Sequence, residues 1–133
     1  MSTQNYLKMV KLFGLYHAVA ILPFALPYIS ELVLALLGRL HVTLHLPGLW
    51  LDASPSYLMF VNLFACAALI WALYRVFHPS IVVGRYEGWG MLLFSFIVLF
   101  YVFTGASAIW LLIPIVDLPG GLMHLLFSRR SDA

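Results

Sequence analysis

Charge is what this sequence has least of. Of its 133 residues 9% are charged and 64% are hydrophobic, whereas a soluble domain carries about 25% charged side chains. Too few polar groups remain to cover a globule in water, so lipid is expected to solvate much of the outside. Cysteine is nearly absent too: Cys66 is single, which excludes an intramolecular disulfide and any CxxC pair. It lies in an apolar run and reads as a small packing residue. The chain has no HExxH pair, no glycine-rich phosphate loop and no recognisable nucleophile–base pair. Its five acids and seven bases give +2, with the bases beside apolar segments rather than in the block that binds nucleic acid. Linkers, internal repeats and low-complexity tracts are missing, so residues 1–133 read as one domain with short connections.

What is present is a series of long apolar stretches. At about 20 residues per crossing, they predict an all-α integral membrane protein: a four-helix transmembrane bundle with spans near residues 12–29, 56–76, 89–104 and 107–127. The first begins like a secretory signal after Lys8 and Lys11, but it continues to residue 29 without a small-x-small cleavage site, so an uncleaved helix is expected. Pro23 and Pro27 each remove a backbone donor and predict a kinked outer half. Residues 30–38 look helical, with Ser30 as N-cap and Glu31 in the first turn. Residues 40–46 alternate between Leu40, Val42, Leu44, Leu46 and His41, Thr43, His45, as an extended segment would. Pro47-Gly48 turns the chain, and Trp50 and Tyr57 suit the headgroup belt, which makes this an interfacial outer segment.

The stretch FHPSIVVGRYEGWG, with Pro79 and glycines 84, 88 and 90, breaks periodicity and reads as the main polar connection. Residues 89–127 as one helix would reach roughly 60 Å against a core of about 30 Å, so either a turn near Thr104-Gly105 splits them into two crossings, or one long helix ends by Pro114 and the tail returns as a short hairpin. Pro114, Pro119 and Gly120-Gly121 make the last crossing irregular. Four crossings put Lys8, Lys11, Arg75, Arg85, Arg129 and Arg130 on one side and Arg39 alone on the other. The positive-inside rule then predicts both termini in the cytoplasm, in a bacterial-type inner (plasma) membrane.

Few residues carry chemistry. Asp117 falls in the last crossing among prolines and glycines, which marks either an intramembrane polar site or a hydrated loop at the outer interface. Asn62 lies inside the second span, where its amide needs a partner on another helix. Gly14 with Ala18, and later Gly105 with Ala108, offer close approach between helices. His17, His78 and His124 share a depth near the cytoplasmic side, and His17 with His124 form a candidate bis-histidine haem pair. His41 and His45, with Glu31 and Asp52 within reach, form a candidate metal site. Arg75, His78, Arg85, Tyr86 and Glu87 read as a cytoplasmic cluster for a lipid phosphate or a protein partner.

These observations favour a non-catalytic protein that works by binding, as an accessory subunit or a partner-binding or neutralising protein of a membrane complex. Its partners would be the bilayer and either another membrane protein or further copies of itself. No resident cofactor is required by this reading. The rival class handles a ligand, either as a haem-binding redox subunit through His17 and His124 or as a small carrier using Asp117. The four-helix layout itself implies no activity.

Overall fold

The computed structural model describes residues 2–51 and 53–130. Five α-helices follow in order: α1 (Thr3–Ala25), α2 (Ile29–Thr43), α3 (Pro55–Phe77), α4 (Ile81–Phe103) and α5 (Leu112–Arg130), the last entered through a 3-10 turn over Ala108–Leu111. Thr3–Ala25, Pro55–Phe77, Ile81–Phe103 and Ala108–Ser128 are each long and apolar enough to cross a membrane.

Serine caps set three of the starts. Ser2, Ser54 and Ser80 each accept a hydrogen bond from the backbone N–H three residues on, at 3.4, 3.3 and 3.1 Å, supplying a partner that a helix terminus otherwise lacks. Helix α1 thus starts well before residue 12. Its buried seam of Tyr6, Val10, Gly14 and Ala18 repeats every four residues, so the polar N-terminal turns belong to the same packed face. The helix ends at Ala25, ahead of Pro27. Helix α4 starts at Ile81, inside the stretch expected to be a polar connection. Ser80 caps it, and Gly84 and Gly88 are one helical turn apart, where they admit neighbouring side chains rather than break the helix.

Helix α2 runs to Thr43, so the segment expected to be extended is largely helical. Leu40 and Val42 are both exposed, and alternation over so few residues cannot separate a strand from a helix. Ser30 is not the cap of α2. The preceding residue Tyr28 has a positive φ of 65°, and Ser30 is buried one residue inside. Extended pairing occurs instead after Gly48: Leu49 N–H donates to the Gly105 carbonyl at 2.7 Å, and Ser107 N–H to the Leu49 carbonyl at 3.0 Å. Gly48 has φ 94°, and a Cβ there would overlap the Ala106 carbonyl, so this stitch requires glycine.

The long helices associate as two tight pairs, α1 with α3 and α4 with α5. A Cβ on Gly14 would lie 3.1 Å from the Ala72 carbonyl oxygen, and one on Gly121 would lie 2.9 Å from the Gly88 carbonyl oxygen. Small residues thus bring the backbones of each pair together, as in helices that associate without a hydrophobic driving force. Consecutive helices α3 and α4 are not closely packed.

Candidate functional site

Four ionisable side chains from four helices meet inside the bundle. His17 (α1) places Nε2 3.2 Å from Asp117 Oδ1 (α5), and its Nδ1 lies 3.2 Å from Glu87 Oε1 (α4) and 3.1 Å from Arg75 Nη2 (α3). Arg75 Nη1 is paired with Glu87 Oε1. Arg75 is 2% exposed, Glu87 6% and Asp117 8%. Isolated charges at such burial would cost several kcal/mol each, and mutual pairing is what makes them tolerable. Trp71 of α3 adds a further donor, its indole N–H lying 2.9 Å from Glu87 Oε2.

The bonds of His17 fit two protonation states. Neutral imidazole accepts at Nδ1 from Arg75 and donates at Nε2 to Asp117. Imidazolium donates from both nitrogens, to Glu87 and to Asp117, and the quartet then holds two cations against two carboxylates. A proton can thus be held or released at His17 while its ring keeps a partner on each side.

The quartet forms one end of a cavity of about 880 Å³. Its walls are apolar, with Phe24, Val61, Phe64, Met91 and Phe94 among them, and Leu34 and Leu37 of α2 close the far end beside Ile109 and Trp110. That end is braced: Trp50 stacks on Trp110 with ring centroids 5.6 Å apart, and His41 Nδ1 lies 2.7 Å from Ser107 Oγ. Size and lining match sites for drug-sized ligands, which are mostly apolar with a few convergent polar groups. Arg75 Nε is buried without a hydrogen-bond partner among the described residues, so His17 and Asp117, 13% and 11% exposed in their side chains, are the quartet members with surface to offer.

Arg75 and Glu87 were expected in a cytoplasmic cluster; they are buried in the quartet instead, because the segment around Glu87 is helical. Of the other members, His78 caps the end of α3 with its ring against Tyr74, Arg85 donates to the Ser128 carbonyl at 3.4 Å, and Tyr86 is exposed. Asp117 lies within a helix, paired with His17, rather than in a loop. Asn62 Nδ2 donates at 2.8 Å to both the Phe24 carbonyl and Ser30 Oγ, tying α3 to the corner between α1 and α2. Cys66 is exposed, with its thiol 3.7 Å from the Ala25 carbonyl, so it is not a core-packing residue. Gly105 takes φ 120° in the turn after α4, and a Cβ built on it would meet nothing within 4 Å.

The histidines separate. His124 is fully buried with neither ring nitrogen partnered among the described residues. Its ring meets Tyr6 and Phe13 edge-on. Phe13 also touches His17, whose nitrogens already face Asp117, Glu87 and Arg75, so sharing an iron with His124 would require giving those contacts up. His41 is engaged by Ser107 and Trp50, His45 has φ 49° beyond the end of α2, and Asp52 lies outside the described residues. No group of three or more His, Cys, Asp or Glu placed to hold a metal occurs among the described residues.

Trp71 and the paired glycines were not singled out from sequence as site residues. The available signal was spacing: Gly84 and Gly88 stand four apart around Glu87, the pattern of a helix that admits close neighbours. Comparison of the chain with protein-family models, with curated proteins and with solved structures gives no match.

Proposed function

We propose that this chain is an integral membrane protein that binds a lipid-soluble small molecule, with the polar head of the ligand against the His17–Arg75–Glu87–Asp117 quartet and its apolar body in the cavity above. The observation that carries the reading is the convergence of four ionisable groups from four helices on one end of an apolar cavity. The bound head would lie against His17 and Asp117, whose side chains keep 13% and 11% of their surface and border the cavity. His17 can exchange a proton with such a head without leaving its carboxylate partners. The protein acts by holding its ligand, and the reading places it in a bacterial-type inner membrane with both termini cytoplasmic. Lys8, Lys11, Arg85, Arg129 and Arg130 support that orientation against Arg39 alone, now without Arg75 in the tally.

Of the two classes open from sequence, ligand handling gains over an accessory subunit that works through a partner. The packing faces at Gly14, Ala18 and Asn62 are used within the chain, whereas Leu36, Val42 and Leu49 of the outer segment stay exposed and are what the accessory-subunit reading retains. Organic extraction of the purified protein and of its Arg75→Met/Glu87→Leu double variant, compared by mass spectrometry, tests the reading. A lipid-soluble compound enriched several-fold over bulk phospholipid should accompany the wild type and be lost from the variant. Extracts of equal composition would contradict the proposal.

A further inference from the structure

The seam between α3 and α4 is built in three steps. The two helices are antiparallel neighbours joined by three residues, 78–80. Phe64 and Phe94 stack across the seam with ring centroids 5.6 Å apart, and Trp71 bonds Glu87 at 2.9 Å. Moving along α3 by four residues from Phe64 and back along α4 by four from Phe94 places Ala68 opposite Gly90. A further three residues on each helix reach Trp71 and Glu87. The smallest residues of the seam therefore stand between two side-chain ties. Gly90 is exposed and lines the cavity. A Cβ built on it would meet nothing within 4 Å. No side chain fills the space at Gly90, beside Ala68 on the cavity wall, and the quartet lines the same cavity.

We propose that the Ala68–Gly90 gap is a lateral portal to the bilayer and that the ligand is a single-chain amphiphile, its head at the quartet and its flexible hydrocarbon chain leaving through the gap. This rests on the ligand-binding reading above. The chemistry follows from the frame. Phe64 and Trp71 are two helical turns apart, about 10 Å along α3, with small residues across the middle only. An alkyl or prenyl chain passes such a slot. A rigid fused ring cannot turn from the quartet into the gap within one helical turn, as a flexible chain can. Access from the lipid fits the apolar walls, since a chain moving sideways from the bilayer never crosses water.

Two photoprobes in proteoliposomes test this: hexadecanol with a diazirine at the hydroxyl end, and a cholestanol diazirine as the rigid-ring comparison. After illumination, adducts are located by peptide mass spectrometry. Hexadecanol adducts are expected on α5 beside the quartet, at Ile113 and Asp117, and should fall at least five-fold in Gly90→Phe and in Ala68→Leu. Outward-facing Ala67→Leu should leave them unchanged. Adducts on exposed Phe96 should stay constant throughout, and equal thermal unfolding would show that each variant is folded. Undiminished labelling of Ile113 and Asp117 in both blocked variants would overturn the portal while leaving the cavity occupied. Stronger labelling of these two residues by cholestanol would overturn the single-chain class. If neither probe labels them in the wild type, the quartet end is closed to lipids, and the ligand-binding reading fails with the portal.

Discussion

His17 Nε2 on the first helix lies 3.2 Å from Asp117 Oδ1 on the last, so a contact between residues a hundred positions apart closes the bundle around a polar interior. Asparagine at position 117 keeps an acceptor for the imidazole, whereas leucine leaves that face of His17 without one. Asp117→Asn is expected to unfold close to the wild type in detergent. Asp117→Leu should lose about 1–3 kcal/mol, the usual cost of a buried polar group deprived of its partner.

The Arg75–Glu87 pair makes a sharper prediction, because breaking a buried ion pair costs more than replacing it. Arg75→Met strands the Glu87 carboxylate and should destabilise by about 3–5 kcal/mol, while Arg75→Met/Glu87→Leu removes both charges and should cost much less. A double-mutant cycle on denaturation free energies reads the difference directly. Additive single and double effects would mean that the two groups do not interact.

Asn62 has two acceptors at 2.8 Å, the Phe24 carbonyl and Ser30 Oγ. Asn62→Leu should therefore loosen the α1–α2 corner and cost about 0.6–2 kcal/mol. Asn5→Leu, at an exposed position near the N-terminus, should be close to silent in the same unfolding assay.

Orientation follows from the charges. In a Cys66→Ala background, cysteines introduced at Ser2 and Ser131 should react with an impermeant maleimide only from the cytoplasmic side of sealed vesicles. Labelling of the two positions from opposite faces would rule out an even number of crossings.

Much of the helical architecture was legible because it depends on solvent. Apolar length alone indicated a span near 56–76, and the helix found there is Pro55–Phe77. The turn expected at Thr104-Gly105 is where α4 ends, since no single helix fits the remaining apolar run. The interior was less legible for a definite reason. The glycines near Glu87 carry loop propensity in water, but next to a partner helix glycine permits backbone contact, as between Gly88 and Gly121. The α2 alternation misled because a stretch as short as residues 40–46 does not separate a period of two from one of 3.6. Asp117 stood out as an ionisable residue in an apolar run, yet its partner His17 could not be named from sequence. The contact depends on the packing of α1 against α5, and no local spacing encodes that packing.

The central claim is that the quartet meets a ligand rather than only bracing the helices. Nitrogen-15 solid-state NMR of His17 tests it most directly, with the protein measured first in its native membranes and then after delipidation and reconstitution into pure phosphatidylcholine. If a polar head lies against the quartet, the His17 ring signals should shift on removal of the native lipids and return when the organic extract is added back. His17 signals that are the same in both membranes, and that move only in Asp117→Asn or Glu87→Gln, would contradict the account and leave the quartet as a structural brace.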